Sequence, residues 1–467
     1  MATQIAEMVE ASRIPGDSID RLITAYGGRA PRYTSYPTAI QFTPDVAARQ
    51  YGAWLRGLKR ESGSISAYLH VPFCDRMCWY CGCNTAVVNR RGPIEDYVAR
   101  LLGEIDLVAA TLGERLEIGN IHFGGGTPNM LAPDEIGAIL ARLAQRFDIA
   151  PGAEIAAEID PCTLTEDWVR AAAAGGMNRA SLGVQDFDPA VQQAINRIQP
   201  YEMTARAVAL LRSAGAGSIN MDLIYGLPRQ TLEGLEKNID MALALEPDRL
   251  SLFGYAHVPW MKAHQKLIRE DELPDARLRY QMQRRAADLL EERGWRRLGL
   301  DHFARPDDGL AAAAAEGRMR RNFQGYTTDA APVLIGFGAS SIGRMPQGYV
   351  QNASAVPQWR EKLDRGELPV ARGVEMTADD RFRAEIIERL MCDFAVDLAE
   401  VCANHDRPLS ELDDSVARLA PMQEDGIAEV EGTRVAATRL GRDFIRSICA
   451  AFDAHLEHGA VRHSASI

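Results

Sequence analysis

The 467-residue chain has no excess of positive charge, no long apolar run and no second pair of closely spaced cysteines to complement its first group. Its formal net charge is −12, from 52 Lys and Arg against 64 Asp and Glu. That balance argues against general nucleic-acid binding and against adhesion to acidic membranes. No apolar stretch approaches the roughly 20 residues that would cross a bilayer, so membrane insertion is not expected. The amino-terminal stretch Met1-Ala-Thr-Gln-Ile-Ala-Glu-Met8 has neither a basic region nor a continuous apolar one, so no secretory leader is expected. Four of the eight cysteines, Cys162, Cys392, Cys402 and Cys449, are scattered along the chain. Scatter without a leader excludes a disulfide framework and leaves these four as small buried hydrophobes. There is no internal repeat beyond a strand–helix unit, and no low-complexity tract except Ala311–Ala315. At 46% hydrophobic residues the chain can form two or three domains with a large core. Nothing demands more than a monomer.

The other four cysteines stand within ten residues, Cys74-Asp-Arg-Met-Cys78-Trp-Tyr-Cys81-Gly-Cys83, directly after a strand-like run. Three thiolates at spacings of four and three residues suit three corners of an iron–sulfur cubane, leaving one iron open to a small molecule. A structural zinc site is the alternative, but it usually takes two separated pairs. Chance spacing is the other. Cys83 lies too close to Cys81 to complete the same cubane comfortably. Reduced thiols beside an oxygen-sensitive cluster fit the cytoplasm.

Strand-like runs at Ile65–His70, Asn120–Phe123, Glu154–Ile159, Arg179–Val184, Ile219–Tyr225 and Arg249–Phe253 alternate with amphipathic helices. Several runs are mostly apolar rather than strictly alternating, as expected when both faces of a parallel sheet are covered. The helix beginning at Pro93 carries Tyr97, Val98, Leu101, Leu102, Ile105 and Val108 on one face, and another begins at Pro133. The fold class is α/β: a partial (β/α)6-type TIM barrel with an N-terminal extension and a C-terminal, mostly helical, winged-helix-like domain. The expected segments are 1–50, 51–355 and 356–467. The last contains a helix over Ala378–Phe394, a hairpin-like stretch Ile427–Val435 and an amphipathic helix from Arg442. Its acidity favours a lid or packing role over DNA binding.

In such barrels, chemistry sits on loops at the carboxyl ends of the strands. The informative residues fall there: the cysteines, Gly124-Gly-Gly-Thr-Pro128, Glu158, Gln185-Asp186 and Asp222. The glycine run permits close backbone approach and presents N–H and C=O groups. Glu158 and Asp222 are carboxylates in apolar strands and need partners, either internal or from a ligand. His70, His122, His257 and His302 read as satisfied core groups before they read as ligands. Arg197, Arg305, Arg318, Arg320 and Arg321 are candidates for bidentate carboxylate binding, against a solvated-surface reading for most.

Tyr68-Leu-His-Val-Pro-Phe-Cys74 with CxxxCxxC resembles the signature of the radical S-adenosylmethionine (SAM) enzymes. Further stretches resemble one family among them, the oxygen-independent coproporphyrinogen III oxidases (dehydrogenases). These are Arg32-Tyr-Thr-Ser-Tyr-Pro-Thr38, Cys81-Gly-Cys83, Gly183-Val-Gln-Asp-Phe187, Asn220-Met-Asp-Leu-Ile-Tyr-Gly-Leu-Pro228, Asp301-His-Phe-Ala-Arg-Pro306 and Asn322-Phe-Gln-Gly-Tyr326. The resemblance implies a 4Fe-4S cluster on Cys74, Cys78 and Cys81, with Cys83 in the pattern but not a ligand. It implies two SAM sites: Tyr68, Gly125 and Glu158 at the first, and Tyr80, Gly126, Thr127, Gln185, Arg197, Asp222, Ala256 and Ile342 at the second. No catalytic residue beyond the cluster and SAM sites is implied.

The activity implied is oxidative decarboxylation of two propionates of coproporphyrinogen III to vinyl groups, giving protoporphyrinogen IX in haem biosynthesis by 5′-deoxyadenosyl radical chemistry. An external reductant and an electron acceptor, whose identities the sequence does not specify, are needed. The four substrate carboxylates call for an arginine patch, expected among Arg32, Arg318, Arg320 and Arg321. The alternative is a haem-binding, chaperone-like paralogue of the same family. Such proteins have an aromatic at the Cys83 position and Ser at the Asp186 position, and lack the Tyr-Thr-Ser-Tyr-Pro-Thr segment.

Overall fold

The structure is a computed structural model describing residues 16–28 and 30–456; Met1–Met8, considered above for a leader, lies outside the described residues. Six strands form where the apolar runs stand: β1 Ile65–Val71, β2 Glu117–Gly125, β3 Asp148–Ile159, β4 Arg179–Gln185, β5 Ser218–Tyr225 and β6 Arg249–Gly254. They pair side by side in chain order, all parallel. Each leads into a helix, α1 Gly92–Leu112, α2 Pro133–Arg146, α3 Glu166–Ala174, α4 Tyr201–Ser213, α5 Leu232–Leu243 and α6 Ala276–Glu292. Side chains start several of them. Thr165 accepts from the Trp168 amide at 3.2 Å, Thr231 from Gly234 at 3.0 Å and Asp275 from Leu278 at 2.8 Å. Each bond satisfies an amide that the first helical turn cannot.

The sheet continues beyond these six. Leu334–Phe337 joins β1 in parallel, and Ile342–Met345, Gly348–Asn352 and Val370–Glu375 follow antiparallel. At the other edge, His302–Ala304 and Arg296–Leu298 run antiparallel beside β6. Among the described residues the two outermost strands do not pair, so the twelve-stranded sheet does not close. It is nevertheless curved, because residues at the carboxyl ends of β2 through β6 line one cavity. The sheet runs past residue 355, the expected end of the barrel segment, to Glu375.

Glu104 ties α1 to this added edge. Its buried carboxylate accepts from the Gly338 amide at 2.8 Å, Asn352 Nδ2 at 2.7 Å and Trp359 Nε1 at 3.0 Å. Glu104→Ala strands the Gly338 amide and Trp359 Nε1, while Asn352 Nδ2 keeps the Gly338 carbonyl and Ser341 Oγ, and is expected to cost about 4 kcal/mol, measured by urea unfolding. Burial pushes the Glu104 carboxyl up to about 7. Its ionisation therefore lowers stability as pH rises from the ordinary carboxylate range to about 7, and protonation below that range removes the loss. The variant should lose that part of the pH slope.

The C-terminal module begins at Thr377, which accepts from the Asp380 amide at 3.0 Å while Asp380 accepts from the Thr377 amide at 2.9 Å. This reciprocal cap opens the helix Ala378–Asp393. Short helices and a three-stranded sheet follow, ordered Ala395–Asp397, Arg434–Ala437, Ala428–Glu431. The expected hairpin is present; the third strand was not expected. The helix expected from Arg442 is shorter, a 3-10 turn at Gly441–Phe444 followed by Ile445–Ala450.

The Arg32–Thr38 segment forms no strand, yet Tyr33 and Tyr36 are buried in the C-terminal core. Tyr33 donates its hydroxyl to Asp453 at 3.0 Å, and the Tyr36 hydroxyl accepts from the Ala454 amide at 2.9 Å. Cys392, Cys402 and Cys449 are buried as expected, but Cys162 is only half-buried.

Candidate cluster and cofactor site

Cys74, Cys78 and Cys81 line a cavity of about 240 Å³ at the carboxyl ends of the parallel strands. Cys74 Sγ lies 3.1 Å from Thr85 Oγ1 and receives a bond from Thr127 Oγ1 at 3.4 Å. Cys78 Sγ accepts from Arg197 Nη1 at 3.6 Å, and Cys81 Sγ from the Cys83 amide at 3.3 Å. Hydrogen bonds from the Cys83 thiol and amide outweigh burial and bring the Cys81 thiol down to about 6. Cys83 itself is exposed. Among the described residues no three His, Cys, Asp or Glu side chains converge closely enough to hold a single metal ion.

The glycine run is sterically obligatory. Gly125 has φ +115°, and a Cβ there would sit 2.6 Å from the His70 ring. At Gly126 a Cβ would meet Thr85 Oγ1 at 2.6 Å and the Phe73 carbonyl at 2.7 Å. The amides expected to face a ligand are engaged internally: Gly125 N–H donates to Glu158 Oε2 at 3.1 Å and Gly126 N–H to the Val71 carbonyl at 2.8 Å. The run is thus packed against its own protein: Glu158 takes one amide, the end of β1 the other, and His70, Thr85 and Phe73 fill the space a side chain would need.

Glu158 also has His122 Nε2 at 3.2 Å from Oε1. Burial alone would raise this carboxyl, but the bonds from His122 and Gly125 hold it below its usual value. Asp222 receives Ser181 Oγ at 3.0 Å and Asn220 Nδ2 at 2.8 Å, and burial with Glu158 nearby pushes it up. Tyr68 OH is 3.0 Å from His70 Nδ1, and His70 Nε2 is 3.0 Å from the Asn84 carbonyl. The carbonyl can only accept, so Nε2 carries the proton and Nδ1 accepts from Tyr68. His257 and His302 are likewise partnered, by Tyr255 with Glu270 and by Asp301.

Arg197 is 6% exposed and grips the equally buried Asp160 through Nη2–Oδ1 at 3.0 Å and Nη1–Oδ2 at 3.2 Å. It also donates to the Gly183 carbonyl at 2.7 Å. Gln185 ends β4 at φ +69°, where the pairing register slips between Gly183 and Gln185. An extra residue there re-aims the side chain, and Gln185 lines the cavity.

Tyr80, Gly125, Gly126, Thr127, Glu158, Gln185, Arg197 and Asp222 all line this cavity with the three cysteines. Tyr68, Ala256 and Ile342 do not. Tyr68 lies just outside, its ring and the Glu158 carboxylate both within 3.0 Å of where a Gly124 Cβ would be. Ile342 packs against Gly336, the strand partner of Tyr68, and Ala256 lines a neighbouring cavity. Asp160 was missed; an acidic residue two places beyond Glu158, at the end of the same strand, was its available signal.

The expected arginine patch divides. Arg318 is exposed and bonds Glu316 at 2.6 Å, and Arg320 lines a separate groove beside Glu388 and Asp393. Arg305 is an exposed partner of Asp307. Only Arg32 and Arg321 approach each other, with Arg321 Nη2 3.3 Å from the Arg32 carbonyl.

Comparisons with known proteins agree with this architecture. Residues 68–242 match the radical SAM superfamily and residues 376–444 the HemN C-terminal domain. The chain is 50% identical to the oxygen-independent coproporphyrinogen III oxidase of Bradyrhizobium diazoefficiens, over 96% of this chain and 99% of that protein. It is 38% identical to the same-named protein of Pseudomonas aeruginosa, over 93% and 95%. Among solved structures, the coproporphyrinogen III oxidase (HemN) of Escherichia coli, described as a radical SAM enzyme, superposes with a TM-score of 0.87. That match is 36% identical and covers 91% of this chain and 98% of the other. The chain thus belongs to the oxygen-independent coproporphyrinogen III oxidase family of the radical SAM superfamily.

Proposed function

We propose that this protein is a radical SAM oxidoreductase that decarboxylates two propionates of coproporphyrinogen III to vinyl groups without O2, yielding protoporphyrinogen IX in haem biosynthesis. The observation carrying this reading is the three-cysteine cavity at the strand ends of a chain that aligns almost end to end with named oxidases. No helix among the described residues is long and apolar enough to cross a membrane.

Cys74, Cys78 and Cys81 would hold a 4Fe-4S cluster. Their spacing of four and three residues supports this over a zinc site, which usually takes two separated pairs. When bound, the cluster and SAM supply a carbon radical able to take a hydrogen atom from an unactivated C–H bond, which no protein base can remove as a proton. Tyr68, Gly125 and Glu158 would border a first SAM. Tyr80, Gly126, Thr127, Gln185, Arg197, Asp222, Ala256 and Ile342 would border a second. Glu158, ionised, would accept from an ammonium or hydroxyl. Gly125 and Gly126 would let a ligand lie against bare backbone. The propionate that loses the hydrogen atom then releases CO2 and one electron, leaving the vinyl group, so an electron acceptor is needed at each of two rounds.

The test is an anaerobic assay of cluster-reconstituted protein with coproporphyrinogen III, SAM, a strong reductant and a cell extract as acceptor source. Protoporphyrinogen IX with 5′-deoxyadenosine is expected. SAM cleavage without a vinyl product would overturn the substrate; no SAM cleavage with an intact cluster would favour the haem-binding paralogue.

A further inference from the structure

Beside the cysteine cavity lies a smaller one of about 30 Å³, lined by Arg32, Arg279, Arg446, Tyr225, Asp301 and Ala256 among others. The two are neighbours at the end of β6, where Phe253 lines the larger and Gly254 the smaller. Its volume suits a carboxylate or a water, not a macrocycle.

Its charge is lopsided. Arg279 donates Nη2 to the Tyr255 carbonyl at 2.8 Å, while its buried Nε has no hydrogen-bond partner. Arg32, exposed, makes one long bond to the Gly254 carbonyl at 3.4 Å. Arg446 is buried and donates to the carbonyls of Pro31, at 2.9 Å, and Ala30. Behind them Arg321 is buried, its Nε and Nη1 without hydrogen-bond partners. Its Nη1 stands 4.0 Å from Asp301, the only carboxylate among the described residues lining the cavity. Burial, with Arg32 and Arg321 nearby, drags the Arg446 guanidinium down to about 9, the mark of a strongly positive locale.

We propose that this cavity receives one propionate carboxylate of the substrate, gripped by Arg32 and Arg279 with Arg446 and Arg321 supplying the surrounding charge. The proposal rests on the functional reading above and gives it a substrate-binding subsite. A SAM carboxylate would bring its own ammonium, which this excess of cations disfavours; a propionate brings none.

The test measures KM for coproporphyrinogen III and for SAM in Arg32→Gln, Arg279→Gln and the double variant, with thermal melts to check folding. A charge-assisted bond lost at each position should raise the coproporphyrinogen III KM about tenfold per substitution, with the SAM KM unchanged. Arg279→Lys should recover part of the loss. If Arg279→Gln fails to fold, exposed Arg32→Gln carries the test alone. An unchanged coproporphyrinogen III KM beside an active wild type would overturn the subsite, and so would a rise in the SAM KM alone. A wild type inactive on coproporphyrinogen III would overturn the functional reading itself.

Discussion

Cys78→Ala is expected to abolish cluster retention and reduce product formation to background. Cys78 is the most enclosed of the three motif thiols and the one that Arg197 approaches. Two remaining thiolates, Cys74 and Cys81, would hold only two of the corners that the spacing provides. Iron and sulfide content after anaerobic reconstitution reads the loss directly, and 5′-deoxyadenosine release reads its chemical consequence. Cys83→Ser makes the contrast. Cys83 is exposed and lines the same cavity, but its amide is already spent on Cys81 Sγ and it stands only two residues from that ligand, so iron content should hold in that variant. Equal iron loss in both would make Cys83 a ligand and overturn the three-cysteine assignment.

The second large effect is expected at Arg197. Methionine there would leave Asp160, 8% exposed, as a buried carboxylate without its cation. It would also strip the Gly183 carbonyl of its donor. Breaking one side of a buried pair costs about 3–5 kcal/mol, which urea unfolding would register. The same substitution removes a cavity-lining cation beside Tyr80 and Gln185, so SAM binding should weaken as well. The two effects separate in Arg197→Met/Asp160→Asn, where the stranded charge is gone. Stability should largely return while SAM affinity stays low. Recovery of both would reduce Arg197 to a structural role.

Most of the parallel sheet and its helices was legible because the signals are local. Short, mostly apolar runs such as Ile65–Val71, without strict alternation and separated by helix-length segments, fit strands covered on both faces. Pro93 and Pro133 mark helix starts by chain geometry alone. Cysteine spacing and the glycine run after β2 are likewise properties of a few consecutive residues. The third strand of the C-terminal module, Ala395–Asp397, was not legible. At three residues it is too short to show a period, and its partner strand lies almost forty residues on.

The sequence by itself determined the parallel sheet, the cysteine loop at its carboxyl edge and, through shared motifs, the family. Only the tertiary structure decided which arginines share a cavity beside the cysteines. Arg279 sits on α6 and Arg446 on the C-terminal helix Ile445–Ala450, in stretches with no motif, and they meet Arg32 from the amino-terminal segment. Arg318, equally basic on paper, pairs with Glu316 and faces solvent. A guanidinium's charge is written in the chain, but its electrostatic neighbourhood depends on residues hundreds of positions away, brought close only when the modules pack.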